Sequence, residues 1–189
     1  MSKNIARLAL ALLLGMMGVA SAGAAGWNPS APTGATAQLE AAQDAITEFK
    51  KTDPGLEVFF QRAYGYAIYP TVGAGGFIFS GAYGTGLVYE KGAPVGRTKL
   101  TQVSVGFTFG GQSYMELLFF KDKVVLDNFK AGNSEFSAQA SAVIATNGAA
   151  AKTSYNNNGV AVFVHIKGGA MVEASVGGQQ FQYEAGLGD

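Results

Sequence analysis

Cysteine is absent from all 189 residues, histidine occurs once, and charged residues make up only 14% of the chain. Without cysteine there are no disulfides, thiolate metal sites or cysteine nucleophiles, and no acylated cysteine of a bacterial lipoprotein. A metal site would need carboxylates gathered around His165, but the acidic residues are scattered without ligand spacing. His165 therefore reads as a tolerated strand histidine. No Gly-x-Ser-x-Gly elbow precedes a helix. The stretch Gly81-Ala-Tyr-Gly-Thr-Gly lacks the Gly-Lys-Ser/Thr ending and the strand-to-helix setting of a phosphate loop, so its glycines read as close strand packing or a bulge. Catalysis is the weaker class of reading, and no cofactor or metal is implied.

A long apolar run is also lacking. Lys3 and Arg7 precede an apolar stretch over residues 8–20, and small residues follow at Ala20-Ser21-Ala22 and Ala22-Gly23-Ala24. Those are the parts of a cleavable signal peptide over residues 1–24, cut near Ala22 or Ala24. The run is shorter than the ~20 residues of a membrane span. Without Lys3 and Arg7 the chain carries 11 basic and 13 acidic residues, which is no electrostatic footprint for nucleic acid. Export places the protein in the periplasm or outer envelope. Residues 25–36, with two prolines and no apolar period, read as a flexible leader, and 37–189 as one domain.

What is abundant is glycine, 27 residues, together with aromatic and β-branched alternation. Leu39, Ala42, Ile46 and Phe49 recur at helical spacing over residues 39–51, with Lys50 and Lys51 at the favourable C-terminal end. Asp53-Pro54 signals a second short helix burying Leu56, Phe59, Phe60 and Ala63. Past Tyr64 the period becomes two. Strands are expected at 66–69 (stopped by Pro70), 76–80, 85–89, 100–110, 113–120, 134–146, 160–166, 170–176 and 180–183. Gly110-Gly111 signals a hairpin, and 122–130 a short helical insertion. The expected fold class is α+β, mainly β: a strongly twisted antiparallel sheet forming a barrel or half-barrel, behind two N-terminal helices.

Phe77, Phe79, Phe107, Phe109, Phe119 and Phe120 lie in or beside glycine-rich strands, with Arg97, Lys99, Lys121 and Lys123 near strand ends. Rings beside cations are what contact with acyl chain and headgroup phosphate requires.

Several ordered blocks add a resemblance. Gly65-Tyr-Ala-Ile-Tyr-Pro, Gly75-Gly-Phe, Gly81-Ala-Tyr-Gly-Thr-Gly, Gly110-Gly-Gln-Ser-Tyr, Phe129-Lys-Ala-Gly-Asn, Ala138-Gln-Ala-Ser and Lys167-Gly-Gly-Ala-Met-Val-Glu-Ala-Ser-Val-Gly-Gly-Gln resemble the SYLF domain, across about 120 residues. The resemblance implies a non-catalytic module that binds phospholipid, described also as actin-binding in yeast actin-patch proteins, with an amphipathic N-terminal helix touching membrane. In this sequence that helix is 39–51. The block Pro70-Thr-Val-Gly-Ala-Gly-Gly carries Ala74 where many relatives place lysine. The expected partner is anionic phospholipid or a membrane surface, contacted by Phe49, Lys50, Lys51, Arg62, Arg97, Lys99, Lys121 and Lys123. The alternative is an envelope protein partner, docked through a strand edge or apolar patch.

Overall fold

The computed structural model describes residues 34–76, 79–105, 111–132, 142–169 and 179–187. The expected signal peptide, nearly all of the leader, the strand at 170–176 and most of the strand at 134–146 lie outside the described residues. So do Phe77, Phe107 and Phe109.

Helix α1, Ala35–Thr52, starts two residues inside the expected leader, and its apolar stripe buries Ala42, Ala45, Ile46 and Phe49. Asp53 then ends α1 in an extended conformation and caps a 3-10 turn, Pro54–Leu56, which runs into α2, Glu57–Arg62. A meander follows: β1 Gly65–Gly76, β2 Phe79–Glu90 and β3 Ala93–Val105. Lys91 and Gly92, both at positive φ, make the two-residue turn between β2 and β3, a geometry that suits the twist of a hairpin. β4 is Gly111–Phe120, and α3 is Lys123–Lys130, whose first turn Asp122 caps by accepting from the Val125 amide. β5 Ala142–Ile144, a 3-10 turn at Ala150–Lys152, β6 Val160–Gly169 and β7 Gln179–Ala185 complete the order.

The fold is α+β and mainly β, a seven-stranded sheet in the order β5-β6-β4-β1-β2-β3-β7. Three expectations are corrected. First, the sheet is not closed into a barrel: β5 and β7 are its two edges, and they do not pair. It is also mixed, because β5 runs parallel to β6. Second, β3 and β4, the described strands on either side of Gly110-Gly111, do not pair with each other. β4 crosses over β1 to pair with β1 and β6, while β3 pairs with β2 and β7. Third, the strands are longer than local stop signals implied. Pro70 interrupts β1 without ending it, because the pairing slips there on both sides, between Ile68 and Thr71 and between Tyr69 and Val72. A bulge is where a strand tolerates a residue with no N–H to donate.

Though open, the sheet curls. Gln179 on edge strand β7 hydrogen-bonds Glu116 on β4, four positions away in strand order. Glycine permits the close packing. A Cβ on Gly84 would stand 2.8 Å from Val72 Cγ2, and one on Gly86 2.9 Å from Tyr69 Cδ1. Each face has its own core. The helix-covered face packs Phe49, Leu56, Phe59, Leu117, Phe119 and Phe163 together, under α1 and α2. The concave face packs Tyr69, Val72, Leu100, Tyr114, Leu118, Phe120 and Phe181 against Leu126 and Phe129 of α3.

Candidate functional site

The eight sequence-predicted contact residues fall in three parts of the fold. At the α1–α2 junction, Phe49 is fully buried in the helix-covered core, so its ring is not on the surface. Lys50 Nζ lies 2.9 Å from Glu57 and over the Phe60 ring, and that pairing holds the Glu57 carboxyl below its usual range. Lys51 pairs with Glu48 at 3.7 Å. On the β3–β7 rung, Arg97 and Lys99 share Glu184, at 3.5 and 2.9 Å. Beside α3, Lys123 is bonded to Asp127, while Lys121 is exposed. Six of the seven cations thus belong to three separate local arrangements, five of them ion-paired. The seventh, Arg62, ends α2, is exposed, and forms no ion pair among the described residues.

Arg62 is also the one of the eight that borders a described cavity. A groove of about 370 Å³ runs between α2 and the segment 150–155, lined chiefly by Gly55, Val58, Phe59, Arg62, Ala150 and Tyr155. Its size falls in the range of small-ligand sites, and most of its lining is apolar. Val58 is 48% exposed at this groove, a large aliphatic side chain left in water. Phe59 is anchored among Phe119, Phe163 and Tyr155, with ring centroids 5.2–5.5 Å away. The Tyr155 hydroxyl is buried with no hydrogen-bond partner among the described residues, and burial raises its pKa. An O–H left without an acceptor costs free energy that a bound acceptor would return.

Asp53 fixes the groove's shape. Only 1% exposed, its carboxylate accepts from the amides of Gly55, Gly148 and Ala150 at 3.0, 3.2 and 2.6 Å. One carboxylate thus ties the α1–α2 junction to the far wall of the groove, 97 residues along the chain. Gly55 suits the crowding there, since a Cβ would meet Asp53 Oδ1 at 3.1 Å and Ala150 Cβ at 3.3 Å. The Asp53-Pro54 helix start was legible in the sequence; the reach to Ala150 was not.

A second cleft, of about 510 Å³, lies between α1 and the sheet, with Asp44 and Glu48 on one wall and His165 and Lys167 on the other. His165 Nδ1 lies 3.3 Å from Thr52 Oγ1, and its ring meets Phe49 edge-on. No group of three or more metal-ligating side chains gathers here or elsewhere among the described residues, and no described helix is long and apolar enough to cross a membrane.

The sequence reading passed over the polar group on the concave face. Glu116 is fully buried, flanked across the strands by Tyr69 and Val164. Its Oε2 accepts from Gln179 Nε2 at 3.0 Å, and its Oε1 has no partner among the described residues. Burial pushes the carboxyl up to about 8, partly opposed by Gln179. The Tyr69 hydroxyl shares a 2.9 Å hydrogen bond with Thr98. The signal was present in the run Tyr114-Met-Glu-Leu-Leu-Phe-Phe, where alternation sets Glu116 on one face with Tyr114, Leu118 and Phe120. No family model matches the chain, and no curated protein matches it.

Proposed function

We propose that this chain is an exported, non-catalytic binder of anionic phospholipid, a SYLF-like module acting at the periplasmic face of the envelope, and that the groove beside α2 takes the lipid. The observation that carries this reading is an apolar groove with the unpaired guanidinium of Arg62 at its edge. An acyl chain would occupy the apolar wall of Val58 and Phe59, a headgroup phosphate would meet Arg62, and an ester oxygen would accept from Tyr155. The ion pairing of Lys50, Lys51, Arg97, Lys99 and Lys123, five cations on four carboxylates, favours lipid held in a groove over docking by a broad cationic surface, since most of this charge is already balanced locally.

Sedimentation of the mature protein with anionic and with zwitterionic vesicles, alongside mass spectrometry of co-purified lipid, tests it. Binding should favour anionic vesicles. A cation near an anionic surface is worth about 1 kcal/mol, so Arg62→Ala should weaken binding about fivefold. The Lys50→Ala, Lys51→Ala pair should have the smaller effect. Absence of both bound lipid and vesicle binding would refute the proposal. The alternative, an envelope protein partner added at a strand edge, draws support from β5, a three-residue edge strand with Ile144 exposed. A pull-down from envelope extract that recovers lipid and no protein would count against that alternative.

A further inference from the structure

We propose that Glu116 and Gln179 form a pH-sensitive clasp that holds edge strand β7 over the concave face, and that loss of the Glu116 proton frees β7. The geometry begins with the hydrogen bond itself. Together with a hydrogen bond between the same Gln179 side chain and the Tyr114 hydroxyl, it ties β7 to β4 across three intervening strands. As a neutral acid, Glu116 accepts from the Gln179 amide through Oε2 and leaves one O–H without an acceptor, a tolerable defect. As a carboxylate it would put a full charge at a site whose one donor among the described residues is that same neutral amide.

Among the described residues no cation faces it. From β1 comes Tyr69, whose hydroxyl is engaged with Thr98 of β3. Along β4 stand Tyr114 and Leu118, from β6 Val164, and from β7 Gln179 and Phe181. Tyr69 and Tyr114 are the titratable groups here, and burial raises both hydroxyls, so both stay neutral and bring no balancing charge. The cations of the surrounding elements are committed elsewhere: Arg97 and Lys99 of β3 to Glu184 of β7, Lys123 and Lys130 of α3 to Asp127 and Glu90. On β6, His165 lies in the other face of the sheet against Phe49, and Lys167 is exposed, near Thr71. A buried charge without a partner is relieved by whichever structural change exposes it most cheaply. Here that change is the release of β7, which among the described residues pairs along one side only, through six residue pairs with β3. The interior strands stay paired on both sides, so opening is local.

Hydrogen–deuterium exchange of the full mature chain at pH 6 and pH 9, corrected for intrinsic exchange, tests the clasp. With the carboxyl titrating near 8, the β7-open population should rise about tenfold per pH unit above that value. Amides of 179–185 should lose protection at pH 9 while those of 66–69 and 114–119 keep theirs. Glu116→Gln, which keeps an acceptor for Gln179 and cannot ionise, should leave β7 protected at both values. Gln179→Ala, which removes the donor, should loosen β7 at pH 6 as well, and carries the test if the first variant fails to fold. Protection of β7 that is independent of pH would overturn the proposal. So would loss of protection across the whole sheet together, since Glu116 would then be a global liability with no clasp.

Discussion

Asp53 and Glu116 are two buried carboxyl groups on opposite faces of one sheet, and they are satisfied very differently. Asp53 receives three backbone amides, while Glu116 receives one side-chain amide and keeps a bare oxygen. Backbone amides are fixed donors that cost little further entropy to align, so three of them can hold an anion out of water. A lone glutamine amide cannot. Burial alone therefore says little about what an acid does. At Asp53 the surrounding amides turn a carboxylate into a rivet between distant segments, and at Glu116 their lack leaves a group whose proton decides whether the packing is comfortable.

The largest expected effect follows from the rivet. Asp53→Ala strands the buried Ala150 N–H and the part-buried N–H groups of Gly55 and Gly148, and frees the 148–150 segment from the helix junction. Each unsatisfied buried donor costs on the order of 1–3 kcal/mol, so stability should fall by about 4 kcal/mol, read as the urea midpoint of the mature protein. If the groove binds lipid, retained lipid should be lost with it. A loss below about 1 kcal/mol would show that the two acids are less different than their geometry implies.

Glu116→Gln should move stability the other way, and only where the proton matters. The folded carboxyl titrates near 8, against about 4.3 for an unfolded chain, so the folded state holds a proton that the unfolded state has released between those values. The stability this contributes is complete below about pH 4 and is lost as pH rises through 8. The glutamine variant has no such slope. Its unfolding free energy from urea titration should match the wild type at pH 4 and exceed it by about 3 kcal/mol at about pH 6.5, roughly two units above the unfolded value. Parallel pH profiles for the two proteins would remove the contrast with Asp53.

How much of this was legible beforehand differs by feature. The spacing of Leu39, Ala42, Ile46 and Phe49 defines the inward face of α1, and Asp122 and Asp53 mark helix starts that the structure bears out. Strand limits were misjudged wherever proline or glycine stood mid-strand, because a bulge at Pro70 and close contact at Gly84 and Gly86 absorb residues that usually end strands. Strand order lay beyond local signals. Nothing in Gly110-Gly111 tells that β4 crosses to the far side of β1, nor that β5 runs parallel to β6. Consecutive short strands linked by glycine turns point to a barrel or half-barrel, but whether the curl closes depends on the two edges meeting, which no local pattern encodes. Arg97 and Lys99 were expected near a strand end but stand in the middle of β3, and the partners Glu57, Glu184 and Asp127 come from register and helix spacing that only the assembled fold makes plain. Arg62 stood out only once its neighbours proved to be paired.

Tyr155 offers the finest test of the contrast, because it too carries a buried oxygen without a partner among the described residues, on the helix-covered side where Asp53 takes three amides. If that hydroxyl is left over from packing, deleting it costs nothing. If it points at a ligand, deletion separates stability from binding. Tyr155→Phe keeps the ring that packs on Phe59 and removes only the O–H. Removing an unsatisfied buried hydroxyl should leave stability unchanged or raise it by about 1 kcal/mol. Loss of a hydrogen bond of about 1 kcal/mol should weaken lipid retention about fivefold. The two readouts should therefore move in opposite directions in one protein. A variant that gains stability and retains lipid as well as its parent would assign the Tyr155 oxygen to packing and leave Arg62 as the groove's sole polar contact with lipid.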